Sequence, residues 1–309
     1  MPKAEFVVGP DSGEGRRLDV FLVGKIEKLT RSQIRKLINA GVVRVSGAVR
    51  RAGHKLRAGE AVVIDFEVPS PGRIEPQDIP LKILYADEDV IVLDKPSGLV
   101  VHPGAGNISG TLANALLHRF PETASVGPPE RPGIVHRLDK ETSGVMVAAR
   151  SARAYDSLLE QFKRKDVWKT YLGLVWGRIS APEGRINWPI GRHATEGKKI
   201  SVRSRHPKDA ETFFKVLQSF QDTTLLEITP VTGRTHQIRV HLAAAGHPVA
   251  GDALYGRKKA AKKFPRLFLH AHTISFIHPG TGERLTFVSQ LPPDLETVLE
   301  TLSKSQRTV

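Results

Sequence analysis

The run Val68-Pro69-Ser70-Pro71-Gly72, extended by Pro76 and Pro80, constrains the fold of this chain more than any other stretch. Proline lacks an amide hydrogen and fixes its own φ, so neither a helix nor an interior strand passes through such a segment. The stretch reads as a linker, and the chain as two bodies, residues 1–75 and 76–309. With 309 residues there is enough chain for each to hold a core.

The first body is small and basic. Residues 1–14 read as loose chain. A helix is predicted to begin at Arg17, and a second follows Thr30, with Gln33 completing a capping box. Ile34, Leu37 and Ile38 make the buried stripe of that second helix, and Gly41 ends it. Arg31 and Arg35 lie four apart on its other side. Strands are expected over 42–45, turned at Gly47, and over 61–66. Between Gly15 and Glu67 twelve Arg or Lys stand against five acids. This surplus of +7 is half of the net +14 of the chain, in about a sixth of its length.

That charge, with a pI near 10.1, calls for a polyanionic partner, either nucleic acid or an anionic membrane surface. No long basic amphipathic helix stands out, so nucleic acid leads. A solvated basic face is the plainer alternative. The chain has no cysteine, which excludes disulfides, a thiol nucleophile and thiolate metal sites. No apolar run is long enough to span a bilayer and no apolar signal segment opens the sequence, so the expected location is cytoplasmic.

The second body is organised around Gly133-Ile134-Val135-His136-Arg137-Leu138-Asp139-Lys140-Glu141-Thr142-Ser143-Gly144. Its first half alternates as a strand does, with Ile134, His136 and Leu138 on one face and Val135, Arg137 and Asp139 on the other. A cation and a carboxylate two residues apart thus point the same way at a lip. A buried strand follows over 145–149. Taken alone, this is a surface hairpin with a salt-bridged rim.

Around it, a buried strand is expected over 90–94 and a helix over 112–120. The loop between them carries Gly98, Gly104, Gly106 and Gly110 at spacings that fit neither phosphate-binding pattern. Ala154, Leu158, Leu159 and Phe162 recur at helical spacing, and Lys163, Arg164 and Lys165 suit the negative end of that helix. Residues 168–176 alternate into a strand with Lys169, Tyr171 and Gly173 on one face. Residues 184–210 read as a basic hairpin open to a polyanion. A strand over 225–229 leads to a helix over 235–242, closed by Gly246. Ile238, Leu242 and Ala245 would face the core, with His236 and Arg239 on another face. Residues 257–266, six of them basic, read as a mobile loop, and late strands follow over 267–271 and 285–288.

Spacing alone does not bring Asp139, Tyr171 and Arg239 together. His136-Arg137-Leu138-Asp139 with Thr142-Ser143-Gly144 resembles the signature of the ribosomal large-subunit pseudouridine synthase A family. Lys95-Pro96-Ser97-Gly98 with Val101-His102-Pro103 resembles its first motif, Lys169-x-Tyr171 its tyrosine motif, and residues 233–241 its third. The four occur in the family's order, and the chain looks most like the D branch. The helix-helix-strand pattern of residues 16–66 resembles the alpha-L RNA-binding motif.

The resemblance implies an α+β fold for the larger body, a mixed, mainly antiparallel sheet with flanking helices, beside a small basic α/β RNA-binding domain. It implies isomerisation of uridine to pseudouridine in RNA, with large-subunit rRNA or a ribosome precursor as partner, and neither DNA nor a membrane. Asp139 would be the catalytic carboxylate, and attack at C1′, attack at C6 and a glycal route are all open to it. Arg239 would hold Asp139 charged and oriented. Tyr171 would stack on the uracil and offer a hydroxyl for proton transfer at C5. Arg137 would fill the space left by the flipped uridine. Leu269 would wall the pocket, and His136, Arg234 and His236 would line the substrate. Arg31, Arg35 and Arg44 would bind RNA. No metal and no organic cofactor are expected.

Two rivals differ in class. A zinc hydrolase could draw on His270-x-His272 or on His236 and His241, but no carboxylate at a recognisable spacing completes either set. A non-catalytic RNA-binding factor would account for the basic first body, but has no use for Asp139, Tyr171 and Arg239.

Overall fold

In a computed structural model the described residues are 3–307, apart from Glu27, Lys28, Thr30, residues 66–73, Ala105, Gly106, Ala194, Gly197, Lys198 and Arg257. The expected linker over 68–72 and the Thr30 cap lie outside the described residues. The chain divides into two compact units, Met1–Gly72 and Arg73–Val309.

The smaller unit runs β1 (Lys3–Val7), α1 (Leu18–Val23), α2 (Arg31–Asn39), β2 (Val43–Val45), β3 (Ala48–Val49) and β4 (Ala61–Asp65). Its sheet has the order β1-β4-β2-β3, all antiparallel. Ser46 and Gly47 both take positive φ (47° and 82°), the two-residue turn whose twist suits a hairpin. Leu18, Phe21, Leu22, Ile34 and Ile38 pack the two helices over Val43, Val45, Val62 and Ile64. The expectation of loose chain at the N-terminus is corrected. Residues 3–7 pair with β4 from Lys3↔Asp65 to Val7↔Ala61. Phe6 meets Phe21 edge to face at 6.5 Å and Val8 is buried, so hydrogen bonds and apolar contacts tie the segment down.

The larger unit runs β5 (Lys82–Ala86), β6 (Val90–Lys95), α3 (Leu112–Arg119), β7 (Ser143–Ala149), α4 (Ala152–Arg164), β8 (Trp168–Trp176) and β9 (Glu183–Ile186). It continues through β10 (Gly191–Arg192), β11 (Ile200–Ser201), β12 (Thr212–Ser219), β13 (Thr223–Pro230), α5 (Gln237–Ala244), α6 (Lys258–Ala261), β14 (Leu269–Ile277), β15 (Arg284–Val288) and α7 (Pro293–Arg307). The large sheet has the order β5-β6-β7-β14-β8-β13-β12-β9, with β15 also on β14. Every pair in it is antiparallel except β7 with β14. This is the mixed, mainly antiparallel α+β sheet that was expected.

Helices cover both faces of its middle. Ile91, Leu93, Met146 and Ala148 pack on Leu112 and Leu116 of α3, while Val90, Val92, Val145 and Val147 pack on Ala154 and Leu158 of α4. Alternate side chains go to opposite cores, so these short strands read as continuous apolar runs. At the parallel junction the chains come unusually close. A Cβ on Gly144 would sit 2.2 Å from the Ala271 carbonyl oxygen, and the residue holds φ +119°. Only glycine fits there.

Several local expectations are corrected. Residues 134–139 are extended but form no regular strand, with a single bridge between Ile134 and Ala148. β6 runs along one edge of β7; on the other, β14 pairs only with Ser143 and Gly144, and beyond it the Val147 amide donates to the His136 ring rather than to backbone. Helix α5 starts at Gln237 rather than 235, because His236 takes a left-handed turn (φ 54°). Ala245 is exposed, not core. The basic stretch after 256 includes the helical turn α6. The basic stretch 184–210 is divided, β9 being an edge of the large sheet and β10–β11 a separate ladder. No described helix is long and apolar enough to cross a membrane.

Candidate active site

A cavity of about 530 Å³ opens between residues 135–142, the start of β8, residues 230–236 and the first turn of α5. Asp139, Tyr171, Arg239, Arg137, His136, Leu269, Arg234 and His236 all line it. The structure therefore gathers every residue of the larger body that the sequence singled out as catalytic or substrate-binding.

Asp139 stands on the lip, at the end of the extended segment, where its carbonyl accepts from the Thr142 amide at 3.2 Å and the chain turns into β7. Arg239 Nη1 donates to Asp139 Oδ2 at 3.1 Å, and His236 Nε2 lies 3.8 Å from Oδ1. Arg239 is itself anchored from behind. Its Nε and Nη2 donate to the two oxygens of Asp252 at 2.8 and 3.0 Å, a bidentate fork. Asp252 is fully buried and also accepts from the amides of Leu254 and Tyr255. Burial opposes the charge on Arg239, but Asp252 and then Asp139 outweigh it, so the guanidinium stays charged. Burial likewise opposes the Asp252 carboxylate, and Arg239 overcomes it and holds its pKa down.

His236 completes this wall. Its left-handed backbone brings Nδ1 to 2.8 Å from the Tyr255 hydroxyl, which accepts from the Ile200 amide. Burial lowers its pKa even though the Asp139 charge raises it, so the imidazole is neutral at neutral pH.

Tyr171 comes from the centre of the sheet, opposite Ile228 on one side and Ala271 on the other. Burial first, and then the Asp139 charge, push its phenol above the ordinary tyrosine range. It is therefore a hydroxyl, never a phenolate, at physiological pH. Leu269 supplies an apolar wall. His136 lies deeper, stacked on Phe162 at 4.7 Å and accepting from the Val147 amide through Nε2. Burial pushes its pKa down to about 3, so it presents a neutral ring. Arg137 is exposed at the rim, and Arg234 donates through Nε to the Asp209 carbonyl. Arg31, Arg35 and Arg44 are exposed residues of the smaller unit.

Three supporting residues were not singled out from the sequence. Asp252 and Tyr255 sit in an ordinary-looking turn, and only a buried arginine with one carboxylate in the cavity signals that a second is needed behind it. Lys95, quoted only as part of a motif, is wholly buried. Its ammonium donates to the carbonyls of Pro96, Leu99 and Lys140 at 2.8, 2.9 and 3.1 Å, fastening the residue next to Asp139. Burial pushes its pKa down to about 8 against the pull of Glu141 and Asp139.

The arrangement offers one oriented carboxylate, one neutral hydroxyl and apolar walls, which suits capture or stabilisation of an electron-poor carbon. The histidines of the rival metal reading are engaged elsewhere. His270 bonds Ser143 Oγ and the Ser289 carbonyl, His272 the same carbonyl, and His241 the Thr212 hydroxyl and the Trp188 carbonyl. Among the described residues no cluster of three His, Asp or Glu is placed to hold a metal ion.

Comparison with known proteins gives the family. Residues 89–244 match the RNA pseudouridylate synthase family, and residues 16–62 match the S4 domain. An uncharacterized RNA pseudouridine synthase of Aquifex aeolicus is 43% identical over 302 residues, covering 94% of this chain and 95% of that protein. The ribosomal large subunit pseudouridine synthase D of Xanthomonas campestris is 42% identical over 307 residues, covering 96% and 91%. The solved structure of human RNA pseudouridylate synthase domain containing 1 aligns with a TM-score of 0.60 at 30% identity, over 76% of this chain and 98% of that one. With its cavity built across the matched segment and its likeness to these relatives running nearly end to end, the chain belongs to the RNA pseudouridylate synthase family.

Proposed function

We propose that this pseudouridine synthase isomerises uridines of large-subunit ribosomal RNA, with Asp139 as the catalytic carboxylate. The observation that carries the assignment is the Asp252–Arg239–Asp139 chain. One buried arginine is locked from behind by a bidentate carboxylate and presents a second carboxylate to the cavity. The ribosomal substrate is carried by the synthases D among the relatives.

The reaction breaks the N1–C1′ bond and joins C5 to C1′. C5 loses a proton and N1 gains one, so nothing is oxidised and no water is consumed. A hydrolytic glycosidase generally needs two carboxylates, one of them for the leaving group or the water. Here the base stays, and one carboxylate suffices. Arg239 keeps Asp139 ionised and aimed. Tyr171, held protonated, stacks on the uracil and passes the C5 proton through its hydroxyl. Leu269 keeps water from the base, and Arg137 at the rim takes the place of the flipped nucleotide. His136, Arg234 and His236 complete the substrate wall.

Residues 1–75 add affinity and specificity but no chemistry, with Arg31, Arg35 and Arg44 on phosphates. The test is incubation with unmodified large-subunit rRNA followed by mapping of pseudouridine. Conversion at one or a few defined uridines is expected. Conversion only in another RNA class would overturn the ribosomal assignment.

A further inference from the structure

The same cavity is also lined by Val135, Phe162, Val167 and three lysines, Lys163, Lys165 and Lys169, to which the uridine chemistry gives no role. Lys169 precedes Tyr171 by two residues on β8, so the two side chains leave the same face of the strand. Its ammonium lies over the Phe162 ring, 5.6 Å from the centroid. The residue is half-buried, yet its ammonium makes no hydrogen bond or ion pair with any described residue.

The contrast with Lys95 is informative. That lysine is buried more deeply and satisfies its ammonium with three carbonyls. Burial lowers the pKa of Lys169, and no carboxylate opposes the shift. A half-buried cation that faces a cavity with no counter-charge marks a place where an anion can arrive from outside. Lys165 adds a second observation. It closes α4 in the left-handed conformation (φ 66°), where glycine is the usual residue. A lysine there accepts backbone strain and places a cation on the same cavity. Of the three non-glycine residues at positive φ among those described, two, Lys165 and His236, line it.

We propose that Lys169, supported by Lys165, forms a phosphate subsite that receives an RNA phosphodiester adjoining the flipped uridine. The base goes to Tyr171 and Asp139, while the backbone is held on the lysine wall. This rests on the uridine-isomerase reading and adds to it the contact that fixes the nucleotide's entry. The plainer alternative is a lysine whose stem covers Phe162 while its head is hydrated.

The experiment uses the full chain and an rRNA fragment containing a uridine that the wild type converts. Affinity is measured between 50 and 200 mM salt for wild type, Lys169→Met and Lys165→Gly. Methionine keeps the contact with Phe162, and glycine suits the left-handed position, so both variants retain the fold. A lost contact to single-stranded RNA lowers the log–log salt slope by about 0.7. Lys169→Met should show that drop and weaker binding while its thermal midpoint rises, because a half-buried cation with no counter-charge is gone. A hydrated surface lysine would change neither slope nor midpoint. In fragments whose phosphodiester on either side of the uridine is replaced by a neutral methylphosphonate, one of the two should weaken wild-type binding and leave Lys169→Met unaffected. Equal losses in both proteins from both replacements would overturn the subsite. So would an unchanged slope in Lys169→Met beside normal wild-type turnover. Absence of pseudouridine with the wild type would instead remove the isomerase reading and the subsite with it.

Discussion

Asp19 in the smaller unit and Arg239 in the larger each centre an arginine–carboxylate cluster on a buried ion, and the two clusters are inverted in charge. In the smaller unit one fully buried carboxylate, Asp19, carries two arginines. Arg17 and Arg31 each reach it at 3.0 Å and keep 48% and 54% of their side chains exposed. In the larger unit one buried arginine, Arg239, carries two carboxylates. Asp252 is sealed behind it and Asp139 remains 15% exposed in the cavity. The first centre offers cations outward, where an RNA-binding unit meets phosphates. The second offers a carboxylate inward, to the cavity. In both, the more exposed ions are held by a buried partner of opposite charge.

The largest effect should come from removing the shared arginine. Arg239→Ala leaves Asp252 buried and unpaired, which costs about 3–5 kcal/mol for a broken buried pair. It also frees Asp139, so turnover should fall below detection together with the thermal midpoint. A variant as stable as the wild type would mean that Asp252 and Arg239 are not the brace described. Next comes Tyr171→Phe, which keeps the ring and removes the hydroxyl. Single-turnover rates should drop by about 10²–10⁴-fold, the range for general acid–base groups, while RNA affinity stays level. A drop in affinity of the same size as the rate would instead make the hydroxyl a binding group.

The smallest effect sharpens the comparison most, because its sign is at stake. Asp19→Asn removes a buried negative charge from beneath a basic surface. Charge counting alone predicts tighter RNA binding. If Asp19 aims Arg17 and Arg31, affinity should fall several-fold despite the added positive charge, and titration of wild type and variant with the same RNA decides between them. Tighter binding by the variant would break the parallel between the two centres.

The sequence carried the ends of this arrangement better than its middle. Asp139, Tyr171 and Arg239 are marked by their motifs, and the alternation at 134–138 is real, with Ile134 and Leu138 buried. What alternation does not reveal is that the Val147 amide of β7 is taken by the His136 side chain, so past the Ile134–Ala148 bridge the segment forms no ladder and leaves Asp139 on an irregular lip. The strand at residues 3–7 was illegible for the converse reason, since it is defined by its pairing with Ala61–Asp65. Asp252 follows Arg239 by only thirteen residues, yet nothing local distinguishes it from an exposed turn acid. Its role appears only once the buried guanidinium stands in front of it. Lys165 misleads in the same way, because a lysine in a basic run gives no sign that its backbone is left-handed.

The claim at the centre of this account is that Asp139 performs the chemistry and does not merely close a salt bridge. The direct test is single-turnover pseudouridine formation by Asp139→Asn at saturating enzyme, with RNA affinity and thermal midpoint measured on the same preparation. Asparagine is nearly isosteric and can still accept from Arg239, so binding and folding should match the wild type while product formation is absent. Pseudouridine accumulating at a measurable rate, beyond what a deamidated trace would give, would contradict the assignment and reduce the Asp139–Arg239 pair to the salt-bridged rim that the sequence also allows.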